Sequence, residues 1–179
     1  MPELSDSEYR CFLDLLHKEA IRDVIMRYSR AIDRIDADLL RSVYWPDGWD
    51  SHSIFEGSVD EFIPWVTDTL SQMISTQHFL GNISIDLEGD QAYTEVYFIA
   101  HHKVEAQDGS QQDSIAAGRY LDHFERRQDE WRIKHRRAIF DWDLNQASTS
   151  NWDSLPAKEI MQRGVRGRSD LVYDRAHFK

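Results

Sequence analysis

Residues 77–105 read QHFLGNISIDLEGDQAYTEVYFIAHHKVE. Residues 77–87 and 91–105 are two runs rich in β-branched and aromatic side chains, parted by Glu88-Gly89-Asp90. A glycine-centred tripeptide between such runs signals a hairpin, because glycine takes the positive φ of a tight reversal at little cost. The pattern repeats downstream. Residues 112–126 and 131–142 are of the same kind, set off by Asp108-Gly109-Ser110 and Gln128-Asp129-Glu130. Four strands joined by turns this short make an antiparallel meander. Strands this long must twist and curve.

Upstream the period changes from two to 3.6. Ile21, Val24, Ile25, Tyr28 and Ile32 fall on one face of a helix, and Ser5 with Glu8 has the spacing of a capping box ahead of it. Asp36 caps a second helix expected over 37–44, ended by Pro46, Asp47 and Gly48. A short strand fits 49–55. Ser58 and Glu61 begin a third helix expected to run to about Ile74, with Pro64 inside it. Helices first and a meander after is an α+β plan, with helices packed on one face of a curved sheet. A curved sheet closed by helices encloses a pocket. Residues 1–145 form the domain. Residues 146–179 are an extension, with a short helix expected between Ser154 and Arg163.

The composition sets limits. The chain has 179 residues, 41% of them hydrophobic, which suits one domain with a sizeable core. Its net charge of −11 argues against a nucleic-acid partner. The charge is uneven: residues 157–179 hold six Lys/Arg and three acids, so +3, which leaves −14 on the first 156. Such a tail is expected to fold over the pocket mouth or onto a neighbouring subunit. No apolar run is long enough to span a membrane, the first ten residues do not resemble a secretory signal, and the one cysteine, Cys11, makes no internal disulfide. A cytoplasmic location is the expectation.

The residues that carry chemistry are few. Asp33 continues the apolar helix face, where a carboxylate wants a cationic or donor partner. His78 begins the first long strand. His102 shares a strand face with Val96, Phe98 and Ala100, and His101 points the other way. His52 shares a face with Ile54, and Tyr120 with Ala116 and Phe124. On the last strand the apolar residues move from odd positions (Trp131, Ile133) to even ones (Ala138, Phe140, Trp142). A bulge near 135–137 explains the switch and turns Arg136 or Arg137 inward. Read singly, each histidine suits a hydrogen-bonded core or surface imidazole, Asp33 a helix end turned to water, the arginines a solvated face and the tyrosines plain core. There is no phosphate loop, nucleophile elbow or H-E-x-x-H.

Glu19-Ala20-Ile21, Tyr28, Ala31-Ile32-Asp33, Trp45-Pro46-Asp47, Gln77-His78-Phe79-Leu80-Gly81-Asn82, Gly118-Arg119-Tyr120, Glu125-Arg126-Arg127 and Trp131-Arg132-Ile133 occur in that order. Together they resemble the SnoaL-like branch of the nuclear transport factor two-like superfamily, over about residues 8–145. The resemblance implies a cone-shaped α+β barrel with a deep pocket. The nearest patterns are those of scytalone dehydratase, the bile-acid dehydratase and hexachlorocyclohexane dehydrochlorinase, which use an Asp–His pair to remove a proton. Carried over, Asp33 and His78 are the pair, Arg136 matches an arginine of the dehydrochlorinase, His102 a second histidine and Tyr28 a helix tyrosine. His52 stands where the scytalone enzyme has a tyrosine, and Ile32 stands where it has another. The expectation is a cofactor-free, metal-free lyase or isomerase acting on a hydrophobic cyclic small molecule. In it His78 is the base, Asp33 orients it, Arg136, His102 and Tyr120 hold the developing anion, and Tyr28 and His52 are further donors. Trp49, Phe98 and Phe140 line the pocket. A homo-oligomer, dimer or trimer, is expected through the outer sheet face, where Tyr93 and Tyr97 lie. The superfamily also holds non-catalytic binders and structural small subunits of aromatic-ring dioxygenases, which are the alternatives.

Overall fold

The computed structural model describes residues 4–150 and 161–178. Helix α1 (Asp6–Arg34) starts on the Ser5–Glu8 capping box. Its first four turns stand largely in solvent, and burial begins at Ile21, the first residue of the apolar stripe. The helix stops at Ile35, which adopts φ 52° and ψ 43°. A β-branched residue in that left-handed region is strained, by about 1–2 kcal/mol. The strain is tied to two useful outcomes. The chain reverses at once, and the next residue, Asp36, caps helix α2 (Ala37–Ser42) through the Leu39 N–H at 3.1 Å.

Strand β1 (Tyr44–Ser51) follows, then β2 (Glu56–Ser58), helix α3 (Val59–Ser71), and the long strands β3 (Ser75–Glu88), β4 (Gln91–Glu105), β5 (Gln111–Arg127) and β6 (Glu130–Ala147). They form one sheet in the order β2-β1-β6-β5-β4-β3. Only the β1–β6 contact is parallel. The fold is therefore α+β, with the helices on the inner face of a curved, unclosed sheet. The core lies between Ile21, Val24, Ile25 and Tyr28 of α1, Phe62 and Ile63 of α3, and the inward residues Val96, Phe98, Tyr120, Phe124 and Ile133 of the sheet.

Several elements differ from expectation. Helix α2 ends at Ser42, and 46–48 lie inside β1 rather than after a helix. A register shift between Tyr44 and Trp49 keeps Pro46 off the ladder, where its missing N–H costs nothing. Asp47 fits there because Arg127 and Lys134 both donate to it, at 2.9 and 2.7 Å. The same irregularity sends Trp49 outward, 42% exposed, and turns Gly48 and Asp50 inward. Helix α3 stops at Ser71, before Ile74. Strand β6 continues through Gln146 and Ala147, which the sequence assigns to the extension. The helix expected over 154–163 falls mostly outside the described residues. What is described of the extension docks on its own chain. Arg166 donates to the carbonyls of Leu70 and Met73, both at 2.6 Å, Arg34 pairs with Asp170 at 2.9 Å, and the Tyr173 hydroxyl donates to Asp36 at 2.7 Å.

The parity switch on β6 comes from a bulge slightly upstream of its expected place. Pairing steps from Phe124↔Ile133 to His123↔His135, so Lys134 is the extra residue. A second step, from Gly118↔Phe140 to Ala117↔Trp142, leaves Asp141 extra. These two irregularities bend the long strands around the helices. At the second, the backbones crowd: a Cβ on Gly118 would lie 1.9 Å from the carbonyl oxygen of Ile139. Gly118→Ala should therefore cost about 1–3 kcal/mol of stability. Urea denaturation of the two proteins checks it, and an unshifted midpoint would remove the close-approach argument.

Candidate functional site

Between the helices and the sheet lies a cavity of about 330 Å³. That is the lower end of the range for small-molecule sites. Helix α1 contributes Tyr28 and Ile32, and α3 contributes Trp65, Val66, Thr69 and Leu70. The strands add His78, Phe98, Ala100, His102, Ala116, Tyr120 and Phe140, and the β1–β2 turn adds His52, Ser53 and Ile54. The wall is mostly apolar, with three imidazoles and two phenols set into it.

Asp33 and His78 meet at the end of α1 and the start of β3. Asp33 Oδ1 lies 2.8 Å from His78 Nδ1, and Asp33 Oδ2 accepts the backbone N–H of His78, also at 2.8 Å. Both carboxylate oxygens are thus spent on one residue. An ionised carboxylate accepts only, so Nδ1 carries the proton and the Nε2 lone pair is left for the cavity. Burial pushes the Asp33 carboxyl upward, but the His78 bonds outweigh it and hold it below the usual range. It stays an anion. His102 meets His78 edge to face, ring centres 5.4 Å apart. Burial, and then the neighbouring His78, push His102 down to about 4, so it is neutral at ordinary pH.

A second Asp–His pair lies in the same wall. His52 Nδ1 bonds Asp50 Oδ1, and the Tyr44 hydroxyl donates to Asp50 Oδ2 at 2.6 Å. Asp50 has no exposed surface. The His52 ring stacks on Phe62, centres 5.3 Å apart, and its Nε2 lies 3.4 Å from the Tyr28 hydroxyl. Asp50 is absent from the residues singled out by sequence, yet a signal existed. Two positions along a strand share a face, so an Asp two residues before an inward His is a ready partner.

Trp49 and Arg136 do not line the cavity. Trp49 faces out, for the reason given above. Arg136 does turn inward, and Arg137 is exposed. The Arg136 guanidinium is nevertheless fully buried beneath the cavity wall, donating from Nε and Nη2 to Asp122 at 2.7 Å each. It stacks on the rings of Tyr28 and Tyr120, 3.9 and 4.3 Å from their centres. It packs against the two phenol rings and has no surface on the cavity. Burial raises both hydroxyls above the usual phenol range, so Tyr28 and Tyr120 remain neutral donors. Phe98 and Phe140 line the cavity, ring centres 5.8 Å apart.

Comparison with known proteins places this geometry in context. A family model described as a SnoaL-like domain matches residues 14–137. An uncharacterized protein of Mycobacterium tuberculosis is 32% identical over 120 residues, covering 65% of this chain and 80% of its own. Among solved structures, the hexachlorocyclohexane dehydrochlorinase LinA-type3 of Novosphingobium barchaimii LL02 superposes with a TM-score of 0.67 at 17% identity, over 75% of this chain and 92% of that one. A candidate scytalone dehydratase of Novosphingobium aromaticivorans DSM 12444 gives 0.65 at 20% identity, over 77% and 91%. At these identities the structural matches speak for the fold alone.

The His102 environment yields a stability test. A histidine held neutral in the fold binds fewer protons there than in the unfolded chain. Its contribution is complete above the ordinary value near 6.5 and is lost as pH falls from there toward 4. Between pH 6.5 and 5 the loss from this one group is about 2 kcal/mol. Chemical denaturation at pH 7 and pH 5 should therefore show a smaller acid loss in His102→Gln than in the unaltered protein. Equal losses in the two would contradict the assignment.

Proposed function

The chain belongs to the SnoaL-like domain family, and from that premise we propose that it is a cofactor-independent lyase or isomerase of the dehydratase type, removing a carbon-bound proton from a hydrophobic cyclic small molecule. The observation that carries the reading is the Asp33–His78 pair, with the imidazole anchored at Nδ1 and Nε2 turned to an apolar wall. A base that must take a proton from carbon gains from a fixed tautomer and from exclusion of water. Asp33 supplies the first and balances the charge as His78 becomes an imidazolium. Phe98, Phe140, Trp65 and Ile32 supply the second.

The remaining polar groups have roles consistent with their placement. Tyr120 and His102 face the electrons released when carbon loses its proton and stabilise the enolate-like anion by hydrogen bonding. Tyr28 and His52 lie toward the leaving group. Arg136 and Asp122 act indirectly, by fixing the two phenols. The ligand class follows from the wall: a compact ring system with one or two oxygens. Residues Tyr93, Tyr97, Leu121 and Trp142 leave a broad apolar outer sheet face exposed, which supports assembly as a homo-oligomer. Light scattering at micromolar concentration checks the assembly, and a monomer would contradict it.

The chemistry is tested with 4-phenylbutan-2-one in D2O, a ketone with no leaving group. NMR should show deuterium entering the carbons beside the carbonyl. His78→Gln should lower the rate by about 100- to 10,000-fold with the fold intact, and Asp33→Asn should also lower it strongly by releasing the tautomer. No exchange above the buffer rate, across a panel of aryl and cyclic ketones that fit the cavity, would sink the reading.

A further inference from the structure

The Asp33–His78 pair explains how a proton leaves carbon but not how an oxygen leaves the neighbouring carbon. We propose that Asp50, His52 and Tyr28 form a second proton relay in the same cavity, delivering a proton to a departing hydroxyl, so that the natural substrate is an oxygenated ring compound with its hydroxyl β to a carbonyl. This rests on the base reading above and goes beyond it, since isomerisation alone needs no such relay.

The two histidines come from the turn that follows β1 and from β3, and three other strands separate β1 from β3 in the sheet. Curvature brings both to one cavity. The second pair has features that packing alone does not require. Asp50 is a wholly buried carboxylate, and both of its oxygens are committed, one to His52 and one to Tyr44. Burying a carboxylate is costly unless it is fully bonded, and an apolar residue would fill the space more cheaply. The bond from Asp50 fixes Nδ1–H on His52 and balances a proton on Nε2. Nε2 points at the Tyr28 hydroxyl, 3.4 Å away, and Tyr28 faces the cavity. Such contacts are often long before a ligand is bound. Because Tyr28 is buried and its phenolate disfavoured, it gives up a proton only if another replaces it in the same event. His52 is the group placed to supply one. The charged and titratable groups gathered around this relay are Tyr28 on α1, Asp50 and Tyr44 on β1, Tyr120 on β5 and Arg136 on β6, the last neutralised by Asp122.

The step balances. His78 Nε2 takes the proton from the carbon beside the carbonyl, and that C–H electron pair becomes the new C=C bond. The C–O bond breaks with its pair on oxygen. That oxygen takes the Tyr28 proton while Tyr28 takes the Nε2 proton of His52, and water leaves. His78 ends protonated and His52 neutral. One proton passing back through water in the emptied cavity resets both.

The test uses two probes that differ only in how much the leaving group needs a proton. 4-Hydroxy-4-phenylbutan-2-one must lose hydroxide or water. Its 4-acetoxy ester loses acetate, a stable anion. Both give the same conjugated ketone, read by absorbance. In the 179-residue chain, His52→Gln should lower the hydroxy-to-acetoxy rate ratio by about 100-fold, in the range set by loss of a positioned acid. Tyr28→Phe, which keeps the ring on Arg136, should lower the ratio in the same direction and serves if His52→Gln fails to fold. His78→Gln should slow both probes alike and leave the ratio within about threefold. A ratio unchanged by both His52→Gln and Tyr28→Phe would overturn the relay while leaving the base reading in place. No elimination of either probe by the unaltered protein would overturn both.

Discussion

The guanidinium of Arg136 is the tie on which the rest of this structure depends. It has no exposed surface, meets Asp122 through two 2.7 Å bonds, and is flanked by the faces of Tyr28 and Tyr120. One side chain thus joins β6 to its neighbour β5 and to helix α1 across the core. Removing either charge would strand the other in a dry interior, at about 3–5 kcal/mol, more than most single contacts contribute. The aromatic faces complete the shell, because a ring quadrupole attracts a desolvated cation. With this tie in place, α1 has one rotational setting on the sheet. That setting aims Tyr28 at the cavity and brings Asp33, five residues later, to the start of β3.

From that setting follows the division of the cavity. Asp33–His78 stands where α1 ends and Asp50–His52 where β1 ends, with the phenols of Tyr28 and Tyr120 also in the wall. His102 stays neutral beside His78, so in the proposed reaction a proton on His78 would not face a second charged imidazole at His102. The apolar residues keep bulk water from competing as an acid or a base. None of these groups is unusual alone. In the proposed reaction their value lies in opposite proton demands met within one small space.

Much of this was legible in the residues. The glycine-centred and acidic turns set the β3–β6 hairpins, and the 3.6-residue stripe set the buried face of α1, Asp33 included. The placement of His78, His102, Tyr28, Tyr120, His52, Phe98 and Phe140 around a cavity follows from those same periods and from the family likeness. What failed to read was wherever a strand period is broken. The irregularity between Tyr44 and Trp49 swaps inside for outside, so Trp49 faces water and Asp50 takes the buried position. The inward turn of Arg136 was readable from the parity switch, but its burial was not, because Asp122 lies on another strand and no local pattern announces the pair. Pro46 and Gly48 look like breakers by composition and are strand residues by tertiary context.

Asp33 binds the backbone N–H of His78 as well as its ring. The first of these bonds needs only a backbone N–H, so any residue but proline at position 78 keeps it. The join between helix end and strand start therefore outlives the imidazole, and chemistry and architecture can be inherited separately. A descendant could lose the proposed base in a single codon and keep the same cavity with the same docked helix. On such a frame a catalyst and a carrier of the same ligand are one substitution apart.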